Sequence, residues 1–229
     1  MTQAPAPAPN SSPRAVPVPP GDTYEDRLSA DVNWALHEGS MHFEGDSAVH
    51  RTLRNMARRL SEMGVDYAIA GGMALFFHGY RRFTEDVDVL VTPAGLARIH
   101  AELEGRGYVR PFETSKNLRD AETRVRIDFL VAGQFPGDGK PGPVAFPEPA
   151  ALSTVNTDDG IAFLPLATLV QLKLASGRTT ARLRDLADVQ ELIRILDLPL
   201  DFATNLDPAL RDLYQQMWRE VDSGRGELD

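Results

Sequence analysis

Cysteine is absent from the 229-residue chain, so disulfides, thiol catalysis and cysteine-ligated zinc are excluded by count, and a reducing, cytoplasmic setting is the expectation. No run approaches the roughly 20 apolar residues that a bilayer crossing needs. The N-terminus also lacks the apolar stretch of a secretory signal, so no membrane association is expected. Positive charge is scarce: 24 Lys and Arg face 33 Asp and Glu, a formal net charge of −9, and only three residues are lysine. That balance argues against a non-specific polyanion binder but leaves room for a local basic groove. Neither a Walker loop nor a dinucleotide GxGxxG pattern is present. What remains is a chain with 42% apolar residues, long enough for one or two domains around a sizeable core.

Seven of the 17 prolines fall in the first 20 residues, among Ala and Ser, so residues 1–21 read as a disordered Pro/Ala-rich tail. A weak amphipathic helix is expected from Asp22 to Leu36, with Tyr24, Leu28, Val32 and Leu36 at spacing four. A clearer one follows, with Asp46 as cap, an apolar stripe from Val49 to Met63, and Gly64 to close it. Strands are expected at Tyr67–Ala70, Asp86–Val91 and Val125–Val131, with short ones near Val155 and Ile161–Leu164. Gly71 and Gly72 form a turn into a short helix ending at Gly79, and Thr92 with Pro93 starts the helix through Leu103. Five prolines and three glycines between Pro136 and Pro149 make a loop. The remainder reads as helices over Leu166–Ser176, Thr180–Leu196 and Asp207–Val221. Strands separated by helices give an α/β (α+β) class with a mixed sheet. The expected division is a core over 22–165 and a C-terminal helical region over 166–229 that completes a cleft.

Chemistry concentrates on two strands. Side chains alternate along a strand, so Asp86 and Asp88 share one face while Val87, Val89 and Val91 take the other. Carboxylates about 6.5–7 Å apart repel by ~2.5 kcal/mol at an effective dielectric near 20, so a cation is expected between them. On the third strand, Arg126, Asp128 and Leu130 face away from the apolar set Val125, Ile127, Phe129 and Val131. Three carboxylates on neighbouring strands make a hard-oxygen site of the type that suits Mg²⁺ with substrate phosphates. Aspartate is unfavourable in strands, which argues that the three are used rather than merely solvated. Glycine at positions 71 and 72 permits backbone to approach phosphate oxygens closely. With 15 residues from Gly71 to Asp86, one helix can return the chain to the same sheet edge.

The run Tyr67–Val91, YAIAGGMALFFHGYRRFTEDVDVLV, resembles the signature of the polymerase-beta-like nucleotidyltransferase superfamily, a Gly-Gly or Gly-Ser turn followed by an Asp-x-Asp strand. Arg81 and Thr84 before Asp86, with LVQLKLASGRTTARLRDLADV from Leu169 to Val189, are similar to the abortive-infection (type IV) toxin-type nucleotidyltransferases and uncharacterised relatives. The resemblance spans about Val49 to Ile195. Gly72 stands where many members have Ser, and Arg184 where many have Lys; neither change removes a metal ligand.

The resemblance implies a nucleotidyltransferase fold and transfer of a nucleoside monophosphate from an NTP to an acceptor hydroxyl. Asp86 and Asp88 would hold Mg²⁺, and Asp128 would complete a second metal position or help deprotonate the acceptor. Gly71, Gly72, Arg81, Thr84, Lys173 and Asp185 are the implied nucleotide-binding residues. The acceptor would be an RNA end such as tRNA, as for a toxin with a cognate antitoxin, or a small molecule. An RNA would need a basic groove, for which Arg51, Arg54, Arg58, Arg124, Arg126 and Arg178 are candidates. Lys173 lies on a core-facing helical face and must meet either substrate phosphates or a structural partner, Asp185 or Asp188. His78 in its apolar helix reads as a packed side chain, and Trp34 and Trp218 as core. A catalytically inactive nucleotide-sensing or partner-binding module is the alternative function.

Overall fold

A computed structural model describes residues 22–178 and 182–225. The expected tail over 1–21 lies outside the described residues, as does the start of the helix expected from Thr180. Helices α1 (Tyr24–Ala30), α2 (Val32–Glu44) and α3 (Ala48–Glu62) lead into β1 (Tyr67–Ile69) and α4 (Gly71–Phe77). There follow β2 (Asp86–Val91), α5 (Pro93–Leu103), β3 (Tyr108–Val109), β4 (Leu118–Asp120) and β5 (Arg126–Val131). After the proline-rich loop come β6 (Val155–Asn156), β7 (Ala162–Phe163), α6 (Leu166–Gly177), α7 (Leu183–Ile195) and α8 (Pro208–Arg225). The strands form one seven-stranded sheet in the order β3-β4-β5-β2-β1-β7-β6. Two pairs, β2 with β5 and β1 with β7, are parallel and the rest antiparallel, so the fold is the expected mixed α/β layer flanked by helices.

The N-terminal helix is two helices, not one. Asp31 leaves helical geometry and accepts a hydrogen bond from the Trp34 amide, so it ends α1 and caps α2. Tyr24 is buried, but Val32 and Leu36 are 69% and 67% exposed, because the break rotates α2 away from the stripe that spacing four implied. The cap of α3 is Ser47, which accepts from the His50 amide, rather than Asp46, whose carboxylate instead pairs with Arg54 at 2.9 Å. Strands β3 and β4 were not expected from the sequence. They widen the sheet beyond β5.

A single buried apolar cluster joins α3, the central strands and the C-terminal helices, with Met56, Leu60, Ile69, Val87, Phe129, Leu174, Leu192 and Tyr214 among its members. Trp34 packs edge-on against Tyr24 at 5.3 Å, and Trp218 donates to the Leu198 carbonyl at 2.8 Å, both at the margin of that core. Among the described residues no helix is long and apolar enough to cross a membrane.

Candidate active site

Strands β2 and β5 pair in parallel with Asp86 opposite Arg126 and Asp88 opposite Asp128. Alternation buries Val87, Val89, Ile127 and Phe129 completely and leaves Asp86, Asp88, Arg126 and Asp128 half-buried on the opposite face. The three carboxylates therefore share one patch of sheet. A cation meets this patch across the strands rather than between Asp86 and Asp88, where one was expected: Arg126 Nη2 donates to Asp86 Oδ2 at 3.0 Å, and its Nε lies 3.0 Å from Asp128 Oδ1. Asp86 is held from the other side by the buried Thr84, whose hydroxyl donates to Oδ1 at 2.8 Å.

The Asp88 carboxylate receives no hydrogen bond or ion pair among the described residues, whereas its backbone carbonyl accepts from the Ala70 amide at 2.9 Å. Burial first, and then the charges of Asp86 and Asp128, push its carboxyl up to about 8, against the pull of Lys173 and Arg126. Burial also raises Asp128, with Arg126 pulling the other way. Such a group keeps its proton near neutrality until a cation arrives. The donor set is hard oxygen, which suits Mg²⁺ in type. Among the described residues, however, no three acidic or histidine side chains are already gathered into a metal-binding group, because Arg126 engages two of the carboxylates.

The diglycine turn adjoins Asp88. Gly71 opens α4 at a φ of +56°, and a Cβ there would lie 1.7 Å from Asp88 Oδ2. A Cβ on Gly72 would lie 2.5 Å from the Thr84 hydroxyl, so Thr84 fills the space that a serine at 72 would need. Both glycines are required for backbone and acidic face to meet.

A cavity of about 700 Å³ opens at this junction, within the usual range for a small-molecule site. Gly71, Asp88, Lys173 and Asp185 contribute its polar wall, and Lys116 and Arg182 add cations. Phe135, Phe146, Leu169 and Leu172 make an apolar side. The loop carrying the two phenylalanines is pinned at its base by Gly133 N–H to Phe146 O at 2.9 Å and Phe146 N–H to Gln134 O at 2.8 Å. Among the described residues, Asp86, Asp128, Thr84, Gly72 and Arg81 do not line this cavity. Arg81 is exposed and lies over the Phe76 ring at 5.5 Å, whereas its neighbour Arg82 grips Asp188 through two hydrogen bonds of 2.9 and 3.1 Å.

Lys173 meets both partners that its sequence position suggested. Its Nζ donates to Asp185 at 2.9 Å and to Asp188 at 2.7 Å, and it lies on the cavity wall as well. Burial alone would raise Asp185, but the Lys173 charge and hydrogen bonds from Ser176 and Lys173 hold it below its ordinary value. His78 is packed, its Nε2 donating to the Leu164 carbonyl at 2.8 Å. Of the arginines considered for a nucleic-acid groove, Arg54, Arg58 and Arg124 pair with Asp46, Glu62 and Asp22 respectively. Sequence reasoning missed Lys116, Arg182 and the loop phenylalanines. None carries a local signal, since the fold alone brings them to Asp88. Arg126 was legible as facing the acidic side, but its two partners depend on register.

The sequence matches no protein-family model and no curated protein. Among solved structures, the chain is similar to the crystal structure of an antigenic nucleotidyltransferase-like protein from Paracoccidioides brasiliensis, at 14% identity over 78% of this chain and 88% of that chain, with a TM-score of 0.44.

Proposed function

We propose that the protein is a metal-dependent nucleotidyltransferase that moves a nucleoside monophosphate from an NTP to an acceptor hydroxyl and releases pyrophosphate. The observation that carries this reading is the in-register pairing of Asp88 with Asp128, with Asp86 on the same face and the Gly71 backbone against Asp88. The Asp88 carboxylate and the open Gly71 turn meet at a cavity large enough for a nucleotide.

In this reading Asp86 and Asp88 would hold Mg²⁺. The ion would supply charge stabilisation at the α-phosphate and the leaving pyrophosphate. Thr84 fixes the Asp86 carboxylate so that it needs no rearrangement at the moment of reaction. Gly71 gives the triphosphate a surface without a side chain, while Lys116, Lys173 and Arg182 offer positive charge along the same wall. The phenylalanine-lined side excludes water and suits a flat base. Asp128, with its proton affinity raised by burial, would take the acceptor's hydroxyl proton, so that bond formation to phosphorus, loss of pyrophosphate and proton transfer balance.

The test is transfer of label from each α-labelled NTP, with Mg²⁺, into either total tRNA or a panel of hydroxyl-bearing metabolites. Label in the tRNA arm identifies an RNA acceptor; label in the other arm identifies a small-molecule acceptor. In either arm Asp86→Ala and Asp88→Ala reduce transfer at least about a hundredfold. Tight NTP binding with no transfer in any arm identifies the nucleotide-sensing module instead. Transfer that survives both substitutions removes the acidic face from the chemistry.

A further inference from the structure

Parallel register and two-residue alternation place Asp86, Asp88, Arg126 and Asp128 as a two-by-two square on one side of the sheet. Three corners are acidic and one is a guanidinium, which stays charged at any pH the protein meets. Arg126 is within 3.0 Å of both Asp86 and Asp128, and among the described residues no other cation comes within ion-pair distance of any of the three carboxylates. The contact with Asp128 is electrostatic rather than a hydrogen bond: Arg126 Nε and Asp128 Oδ1 are both buried and both lack a hydrogen-bond partner despite their proximity. The guanidinium thus fills the gap between the two strands' carboxylates, where an ion shared by Asp86 and Asp128 would otherwise lie. Three ionised carboxylates and one guanidinium leave two negative charges, which a single divalent cation cancels. Asp88, the corner without a partner, faces the cavity and the Gly71 backbone.

Resting on the nucleotidyl-transfer reading of this same site, we infer that Arg126 is a resident cation standing in for a second metal ion between Asp86 and Asp128. The acidic face therefore holds one divalent cation, on Asp86 and Asp88, rather than two. Arg126 is then a positioning residue. It fixes Asp128 beside the reacting hydroxyl and, through its hydrogen bond to Asp86 Oδ2, orients one of the two carboxylates that hold the ion.

The test counts Mn²⁺ bound per chain in the full-length, metal-free protein, by the electron paramagnetic resonance signal of free Mn²⁺ and by calorimetry, with circular dichroism to confirm folding. The wild type and Arg126→Lys are expected to bind one ion, and Arg126→Gln two. Asp128→Asn is expected to keep one ion at essentially unchanged affinity, because Asp128 is the partner of Arg126 and not of the metal. Asp88→Asn loses affinity by about tenfold or more. Two ions in the wild type, one ion in folded Arg126→Gln, or loss of the ion in Asp128→Asn each overturn the role of Arg126 and leave the metal-dependent reading standing. No Mn²⁺ bound by the wild type overturns both. Should Arg126→Gln not fold, the wild-type count and the Asp128→Asn affinity still decide the matter.

Discussion

Gly71 is the residue at which conformation and chemistry are least separable. Its positive φ disfavours any L side chain, and its missing Cβ is what lets the backbone touch Asp88. Gly71→Ala is therefore expected to lose about 1–3 kcal/mol of stability and to displace the Asp88 carboxylate. Chemical denaturation reads the first effect, and loss of cation affinity reads the second. Asp88 carries an opposite tension, because a half-buried carboxylate beside two others weakens the metal-free fold. Asp88→Asn should stabilise the metal-free protein at pH 8.5 by about 1–2 kcal/mol, read as a higher melting temperature, while impairing cation binding. An unchanged or lower melting temperature would contradict that account. Away from the site, His42 and His50 lie buried with ring centroids 4.9 Å apart, sharing Ser47 and edged by Phe76. Burial, then the neighbouring His42 and Arg54 charges, lower His50 to about 4. The unfolded chain takes up this proton near the ordinary histidine value, so stability is complete above pH 6.5 and falls as pH drops toward 4. The loss attributable to His50 is about 3 kcal/mol. Urea denaturation at pH 7 and pH 4.5 measures it, and His50→Gln should flatten the difference.

At the scale of elements, α6 and α7 are joined by an ion network as well as by apolar packing. Arg82, Asp188, Lys173, Asp185 and Ser176 form a continuous chain of hydrogen bonds from the loop before β2 to the cavity wall. Lys173→Met leaves Asp188, 2% exposed, with one cation fewer, and should destabilise the protein by ~3–5 kcal/mol in chemical denaturation. A cost near zero would mean that the network is replaceable by apolar packing. The elements that hold the site were the ones most legible from the residues. Six-residue alternation marked β2 and β5, and Thr92 with Pro93 marked the start of α5. Strands β3 and β4, two and three residues long, are too short to show a period, and they form because β5 offers an edge. The break at Asp31 competes with a continuous spacing-four pattern, and the cap prevails because the Asp31 carboxylate satisfies the Trp34 amide. Lys173 was legible from its helical face as meeting either substrate phosphates or Asp185 or Asp188, and it meets both acids. Its place on the cavity wall was not legible, because that depends on how α7 returns against α6.

For the whole molecule, the sheet order explains why one end of the central strands carries the chemistry. β2 lies between β1 and β5, so the chain leaving β1 turns through Gly71 immediately beside the acidic residues of β2, and β5 adds Asp128 from the far side. The C-terminal helices close the cavity opposite, through Leu169, Leu172 and Lys173. Several surface charges elsewhere are paired locally, including Arg58 and Arg59 with Glu62 and Arg98 with Glu102. Those surface pairs contribute little to stability, and raising the salt concentration should change the melting temperature only slightly. In the proposed function, a divalent cation and a triphosphate meet where β2, β5 and the Gly71 turn converge. The most direct measurement is a crystal structure with Mn²⁺ and a non-hydrolysable NTP, with the metal located by its anomalous scattering. The expected result is an anomalous peak coordinated by Asp86 and Asp88, with the triphosphate lying along the Gly71 backbone. A triphosphate bound elsewhere, or Mn²⁺ held by other residues, would contradict it.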